Sequence, residues 1–230
     1  MTATETVEIR ERLLEAALTH VPFDGWTETT FDAAIAEAGV DEALARALFP
    51  RGAVDLALAY HARGDRTMLH RLTAADLSDM RFRDRIAAAV RFRLEAEPDR
   101  EVVRRGVTLF ALPQYAPDGA RAIWNTVDAI WAALGDPSED VNWYTKRATL
   151  SAVYSSTLLY WLGDESDNHQ ATWEFLDRRI DNVMQFEQIK AKVRENPALK
   201  PFLALPERLL AGIRKPSNPR DDLPGSLRTR

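Results

Sequence analysis

The stretch from Thr27 to Pro50, TETTFDAAIAEAGVDEALARALFP, holds the reading on which the fold turns. Thr29 or Thr30 can cap a short helix by accepting a backbone N–H, and Gly39 stops it. A second short helix, DEALARALF at 41–49, is halted by Pro50. Before this pair, a helix over about Thr6 to His20 sets Ile9, Leu13, Ala16 and Ala17 on one face, and Asp24-Gly25 makes the turn. After Gly52 a longer helix runs through VDLALAYHARGDRTMLHRL at 54–72.

The rest of the chain reads the same way. Only 10 of 230 residues are glycine, and Ala, Leu, Glu and Arg at three-to-four spacing predict an all-α protein. Helices are expected from Asp84 to about Glu97, over REVVRRGVTLFAL before Pro113, over DGARAIWNTVDAIWAAL to Gly135, and from the start of VNWYTKRATLSAVYSSTLLYWLG (141–163) to Gly163. The loops GDPSED and GDESDN suit a glycine helix stop. QATWEFLDRRIDNVMQFEQIKAKV follows, and past Asn196 the composition shifts. Four parts result: an N-terminal unit over 1–52, a helical body over 53–195, an amphipathic segment over 196–215, and a tail over 216–230 expected to be disordered.

Composition excludes several chemistries. With no cysteine, disulfides, thiolate metal sites and cysteine nucleophiles are ruled out. Glu5, Glu8, Glu11 and Glu15 fill the region where a signal or transit peptide would be cationic, and no apolar run nears the ~18 residues of a membrane span. A soluble cytoplasmic chain is expected, peripheral to the inner membrane at most. His20, His61, His70 and His169 are scattered, and His61 with Asp65 reads as a solvated helix face rather than a metal pair. There is no glycine-rich phosphate loop and no nucleophile elbow, so no catalytic residue, metal or cofactor is assigned.

Large rings recur at helical spacing. Trp124, Val127 and Trp131 share one face, as do Leu150, Val153, Tyr154, Thr157 and Trp161 on the next helix. Such a set reads first as core, yet bulky rings interdigitate poorly, and a ligand cavity between these helices is the competing reading. The small Ser151/Ser155 face fits a subunit interface of paired helices about a two-fold axis.

Three short helices with Gly39 at the turn before the third form a helix-turn-helix pattern. TETTFDAAIAEAGVDEALARALFP followed by a long helix resembles the N-terminal domain of TetR-type repressors. The charge opposes that family's function: residues 1–60 carry 11 acids and 4 bases, a net charge of −7, where a DNA reader needs cations on the phosphates. At the family's DNA-contacting positions this chain has Asp41, Glu42, Arg46 and Gly52. DNA is therefore not expected as a partner.

DVNWYTKRATLSAVYSSTLLYWLGDES followed by TWEFLDRRIDNVM resembles the lipid-binding accessory proteins of ubiquinone biosynthesis, TetR-like proteins that have lost DNA binding. The likeness extends through EAALTHVPFDGWT and LPQYAPDGARAIWNTVDAIWAALGD. It implies a homodimer whose helical body binds an isoprenoid-like quinone lipid and partners the hydroxylase of demethoxyubiquinone. The implied lipid-contacting residues are Trp124, Val127, Trp131, Leu150, Val153, Tyr154, Thr157 and Trp161, with Leu109 and Leu112. The implied partner patch is Asn142, Trp143, Tyr144, Lys146 and Arg147. Phe202, Leu205, Leu209, Leu210 and Ile213 form the apolar side of a C-terminal segment that would touch the membrane, or else pack on the protein's own body. A transcriptional regulator of the same fold with a hydrophobic effector, and a purely structural interaction protein, stand as alternatives.

Overall fold

The computed structural model describes residues 2–195 and 214–215; Phe202, Leu205, Leu209, Leu210 and Ile213, and the tail over 216–230, lie outside the described residues. Among the described residues every long element is helical: α1 (Ala3–Asp24), α2 (Glu28–Ala38), α3 (Glu42–Leu48), α4 (Ala53–Ala74), α5 (Phe82–Glu95), α6 (Arg100–Phe110), α7 (Ala116–Ala133), α8 (Val141–Gly163) and α9 (Gln170–Glu195).

Local chemistry moves several of the expected boundaries. α1 begins before Thr6 because Thr2 and Glu5 form a reciprocal capping box. It runs past His20, with Pro22 in its last turn, until the Gly25 N–H closes on the Val21 carbonyl at 2.9 Å. Thr27, not Thr29 or Thr30, caps α2 by accepting from the Thr30 N–H at 3.3 Å; Thr30 is buried and donates its hydroxyl to the Gly25 carbonyl. Gly39 ends α2 in the left-handed region, φ 60°. Asp41 then caps α3, accepting from the Leu44 N–H at 3.0 Å.

Two cores share α4 as a spine. In the first, Leu13, Leu14, Val21, Phe31 and Phe49 pack against Leu56 and Tyr60 from the start of α4, with Val102 from α6. In the second, Met68 and Leu72 from the far end of α4 meet Val90, Ile130, Leu150, Trp161 and Leu176. The N-terminal core thus draws on residues beyond position 52. Ridges of α4, α5, α7, α8 and α9 build the body, and α6 joins α1 to α7.

α8 ends at Gly163, as expected, and Asp164 follows as its cap and starts the next turn. The Asp164 carboxylate accepts from Ser166 N–H at 2.8 Å, Thr172 N–H at 2.9 Å and the Thr172 hydroxyl at 2.5 Å. Burial works to raise its pKa, but these donors outweigh it and hold the group well below the usual carboxylate range. Asp164→Ala should cost on the order of 2–3 kcal/mol, since Thr172 is left buried without its acceptor. Urea unfolding at pH 7 checks this: Asp164→Ala should show a lower midpoint, and an unchanged midpoint would mean that the α8–α9 turn is held by other contacts.

Candidate functional site

Helices α4 to α8 surround a cavity of about 380 Å³. Most of its wall is apolar, including Trp26, Val103, Val107, Phe110, Ile123 and Leu158. It reaches the surface at Leu159, which is 59% exposed. The close approach of α6 and α7 that shapes it depends on Gly119, where a Cβ would meet the Phe110 Cβ at 2.7 Å.

One wall is polar. Arg93, 2% exposed, donates from Nε to Asp65 at 2.6 Å, from Nη1 to Glu97, and from Nη2 to the His61 carbonyl at 3.1 Å. Burial disfavours its charge, but the two carboxylates outweigh that, and the guanidinium stays cationic. Gly64 makes the arrangement possible, because a Cβ there would strike the Glu97 carboxylate and the Arg93 guanidinium. A glycine inside α4 costs roughly 1 kcal/mol of helix propensity, which the buried network explains.

His61 and Asp65 face inward, not to solvent as the spacing alone suggested, because Arg93 draws that face of α4 into the body. Thr126 has one hydroxyl proton and lies 2.8 Å from both Asp65 Oδ1 and His61 Nε2. With the proton given to Asp65, the neutral imidazole donates from Nε2. Burial, then the Arg93 charge, pushes the His61 pKa down to about 4 despite the opposing pull of Asp65. Burial likewise pushes the Tyr154 phenol up to about 12. Among the described residues no three His, Cys, Asp or Glu side chains gather as a metal site would require.

The expected lipid-contacting residues separate. Tyr154 lines this cavity. Trp131, Leu150 and Val153 line a second cavity of about 260 Å³ between α5, α7, α8 and α9, together with Phe82 and Ile180. Val127, Thr157 and Trp161 are buried in the body core. Leu109 packs on the N-terminal core, Leu112 is 43% exposed, and Trp124 turns towards the start of α8. Spacing along a helix assigns a residue to a face, but two cavities and a core share the faces of α7 and α8. Arg93, Glu97, Tyr60 and Gly64 escaped the sequence reading; the mid-helix glycine was the visible signal.

At the start of α8, Trp124, Trp143 and Tyr144 form one aromatic cluster, with Trp143 and Tyr144 centroids 4.8 Å apart and Trp124–Trp143 at 5.8 Å. Trp143 therefore staples α8 to α7, and both rings of the pair remain half-buried. Asn142 is exposed. Lys146 reaches Asp136 at 2.8 Å and Ser138 at 2.6 Å. Arg147 is not part of the exposed patch: it is 3% exposed, paired with Asp128 and Asp136, and stacked under Trp143 at 3.9 Å. The α7–α8 loop thus explains both cations at a helix start, where the macrodipole disfavours them. Lys215 pairs with Glu139 at 2.8 Å, and the Tyr144 hydroxyl donates to the Arg214 carbonyl at 3.2 Å.

An all-helical chain with a helix-turn-helix front and a cavity-bearing body has the TetR architecture. It aligns with the crystal structure of a TetR transcriptional regulator from Nitrosomonas europaea at a TM-score of 0.64 and 22% identity, over 77% of this chain and 99% of that one. Residues 116–187, from α7 into α9, match the COQ9 family model. The chain is 33% identical over 186 residues to the mitochondrial ubiquinone biosynthesis protein COQ9 of Drosophila melanogaster, covering 79% of this chain and 57% of that protein. With the same protein of Rattus norvegicus it shares 30% over 198 residues, covering 81% and 62%. The chain is thus similar to the COQ9 ubiquinone biosynthesis proteins, and it spans about three-fifths of the length of the curated relatives it matches. Among the described residues no helix is long and apolar enough to cross a membrane.

The buried histidine makes stability depend on pH. Its folded pKa lies below the ordinary 6.5, so the unfolded chain binds more protons between pH 6.5 and 4. Stability carried by neutral His61 is present above pH 6.5 and falls as the pH drops towards 4, by up to about 3 kcal/mol. Unfolding free energies at pH 7 and pH 4.5 should differ less in His61→Gln than in the parent chain. Equal differences would place the imidazole in solvent.

Proposed function

We propose that this chain is a non-catalytic accessory protein of ubiquinone biosynthesis, which holds a prenylated quinone intermediate in its inner cavity and presents it to a hydroxylase of demethoxyubiquinone. The observation that carries this reading is the composition of the cavity: about 380 Å³, apolar on most sides, with hydroxyl and carboxylate groups gathered on one wall. That is the make-up of a site for an amphiphile with a long apolar part and a small polar head. A prenyl tail longer than the cavity can leave past exposed Leu159. The similarity to COQ9 proteins supports the pathway.

The partner surface in this reading is the α8 start, where Asn142, Trp143 and Tyr144 are accessible and aromatic area is concentrated. Tyr160, 40% exposed and stacked on Phe175 of α9, suits pairing of two copies through α8 and α9. The amphipathic 196–215 segment would keep the dimer at a membrane surface. DNA has no part in the proposal. The four bases of the first 60 residues are all engaged internally: Arg10 with the Leu48 carbonyl, Arg12 with that of Ala38, Arg46 with Glu28, Asp32 and Glu42, and Arg51 with Asp55 and Asp118.

Two measurements test the reading. Organic-solvent extraction of the purified protein, followed by mass spectrometry, should release an isoprenoid quinone or its precursor in amounts comparable to the protein; bulk phospholipid alone would defeat the proposal. Tyr144→Ala should weaken binding to the hydroxylase by about 2 kcal/mol, roughly thirtyfold, as loss of an interface anchor does. If the melting temperature collapses along with the affinity, Tyr144 is a packing residue and the interface lies elsewhere.

A further inference from the structure

The polar wall of the inner cavity carries a specific charge and a specific unmet need. Arg93 faces two carboxylates, Asp65 and Glu97, while His61 in its neutral form adds no charge, so the cluster is net negative by one. Each of the three Arg93 nitrogens already donates, to Asp65, Glu97 and the His61 carbonyl. An anionic head entering here would meet a cation already compensated and a surplus carboxylate, at a depth where charge repulsion is poorly screened.

The unmet need is a donor. Tyr60 is 6% exposed and lines the cavity, and its hydroxyl has no hydrogen-bond partner among the described residues. Burial, then the Glu97 carboxylate beside it, pushes its pKa up; that carboxylate draws on the hydroxyl without forming a hydrogen bond of full geometry, so the phenol stays protonated and able to donate to a better-placed acceptor. Native interiors rarely leave such a group unsatisfied without a reason. Beside it, Glu97 is a buried acceptor with spare lone pairs.

Resting on the ligand reading above, we infer that Tyr60 and Glu97 form the head-group site of the cavity, selecting a neutral ring that offers an acceptor to Tyr60 and a hydroxyl donor to Glu97. The site discriminates against anionic amphiphiles of the same chain length, prenyl diphosphates and fatty acids alike. Specificity of this kind comes from the cost of leaving buried groups unpaired or like charges opposed. A partly reduced or hydroxylated prenyl quinone satisfies both groups, a plain quinone satisfies Tyr60, and a carboxylate or diphosphate opposes Glu97.

The test uses the full chain stripped of lipid, with calorimetric titration at pH 7.5 of four probes carrying two isoprene units or a matching length: a prenylated benzoquinone, the prenyl hydrocarbon, geranyl diphosphate and decanoate. The quinone should bind at least about tenfold more tightly than either anion. Tyr60→Phe should lower quinone affinity by about three- to tenfold, the range of one hydrogen bond, and leave the hydrocarbon unchanged. Its melting temperature should change little, because the lost hydroxyl makes only an imperfect contact with Glu97. Glu97→Gln, which keeps a carbonyl for Arg93, should narrow the gap between quinone and diphosphate. Equal affinity for neutral and anionic probes, or a Tyr60→Phe effect shared by quinone and hydrocarbon, overturns the inference while leaving the cavity a lipid site. Failure of all four probes to bind overturns the lipid reading with it.

Discussion

Arg93 brings a full positive charge into the centre of the helical body, and much of the arrangement around it exists to make that tolerable. An unpaired buried guanidinium would cost several kcal/mol, so α4 must supply Asp65 and a backbone carbonyl and the turn after α5 must supply Glu97. The requirement sets the separation of α4 and α5, forces a glycine at position 64, and orients His61 and Thr126 behind the pair. Replacing such a cluster by apolar residues is often neutral or better for stability. Its presence beside a cavity is therefore better explained by what the polar wall does than by how firmly it holds the helices.

The same economy governs the N-terminal unit. Three helices keep the packing of a helix-turn-helix through Leu13, Phe31, Phe49 and Leu56, none of which depends on what the surface contacts. The surface cations are neutralised where they stand: Arg46, still exposed, is met by three acids, and Asp41 is occupied as the cap of α3. Core and surface are set independently here, because a core needs apolar volume in register, whereas DNA contact needs free cations on one face.

At the other end, Trp143 is both structural and available. It anchors α8 to Trp124 and covers Arg147, whose charge is met by Asp128 and Asp136, leaving Tyr144 and Asn142 at the rim. A rigid aromatic edge held by a buried cation–carboxylate group is preorganised for contact, since little side-chain freedom remains to be lost on binding. The second cavity, rimmed by Asn142 and Lys146, opens beside this cluster.

The linear sequence by itself determined the helices, the stops at Gly39 and Pro50, the missing cysteine chemistry and the net negative front, because capping, propensity, periodicity and charge are local or additive properties. It also marked α7 and α8 as aromatic and the start of α8 as unusual. The tertiary structure decided which aromatic faces became core and which became cavity wall, since both want the same apolar residues and differ only in what stands opposite. It decided too that His61 and Asp65 turn inward, and that Lys146 and Arg147 answer the carboxylates of the preceding loop. Those outcomes depend on Arg93 lying 28 residues from Asp65 and Asp136 lying 10 and 11 residues from its two partners. Pairings between helices are created by packing, and no periodicity within one helix encodes them.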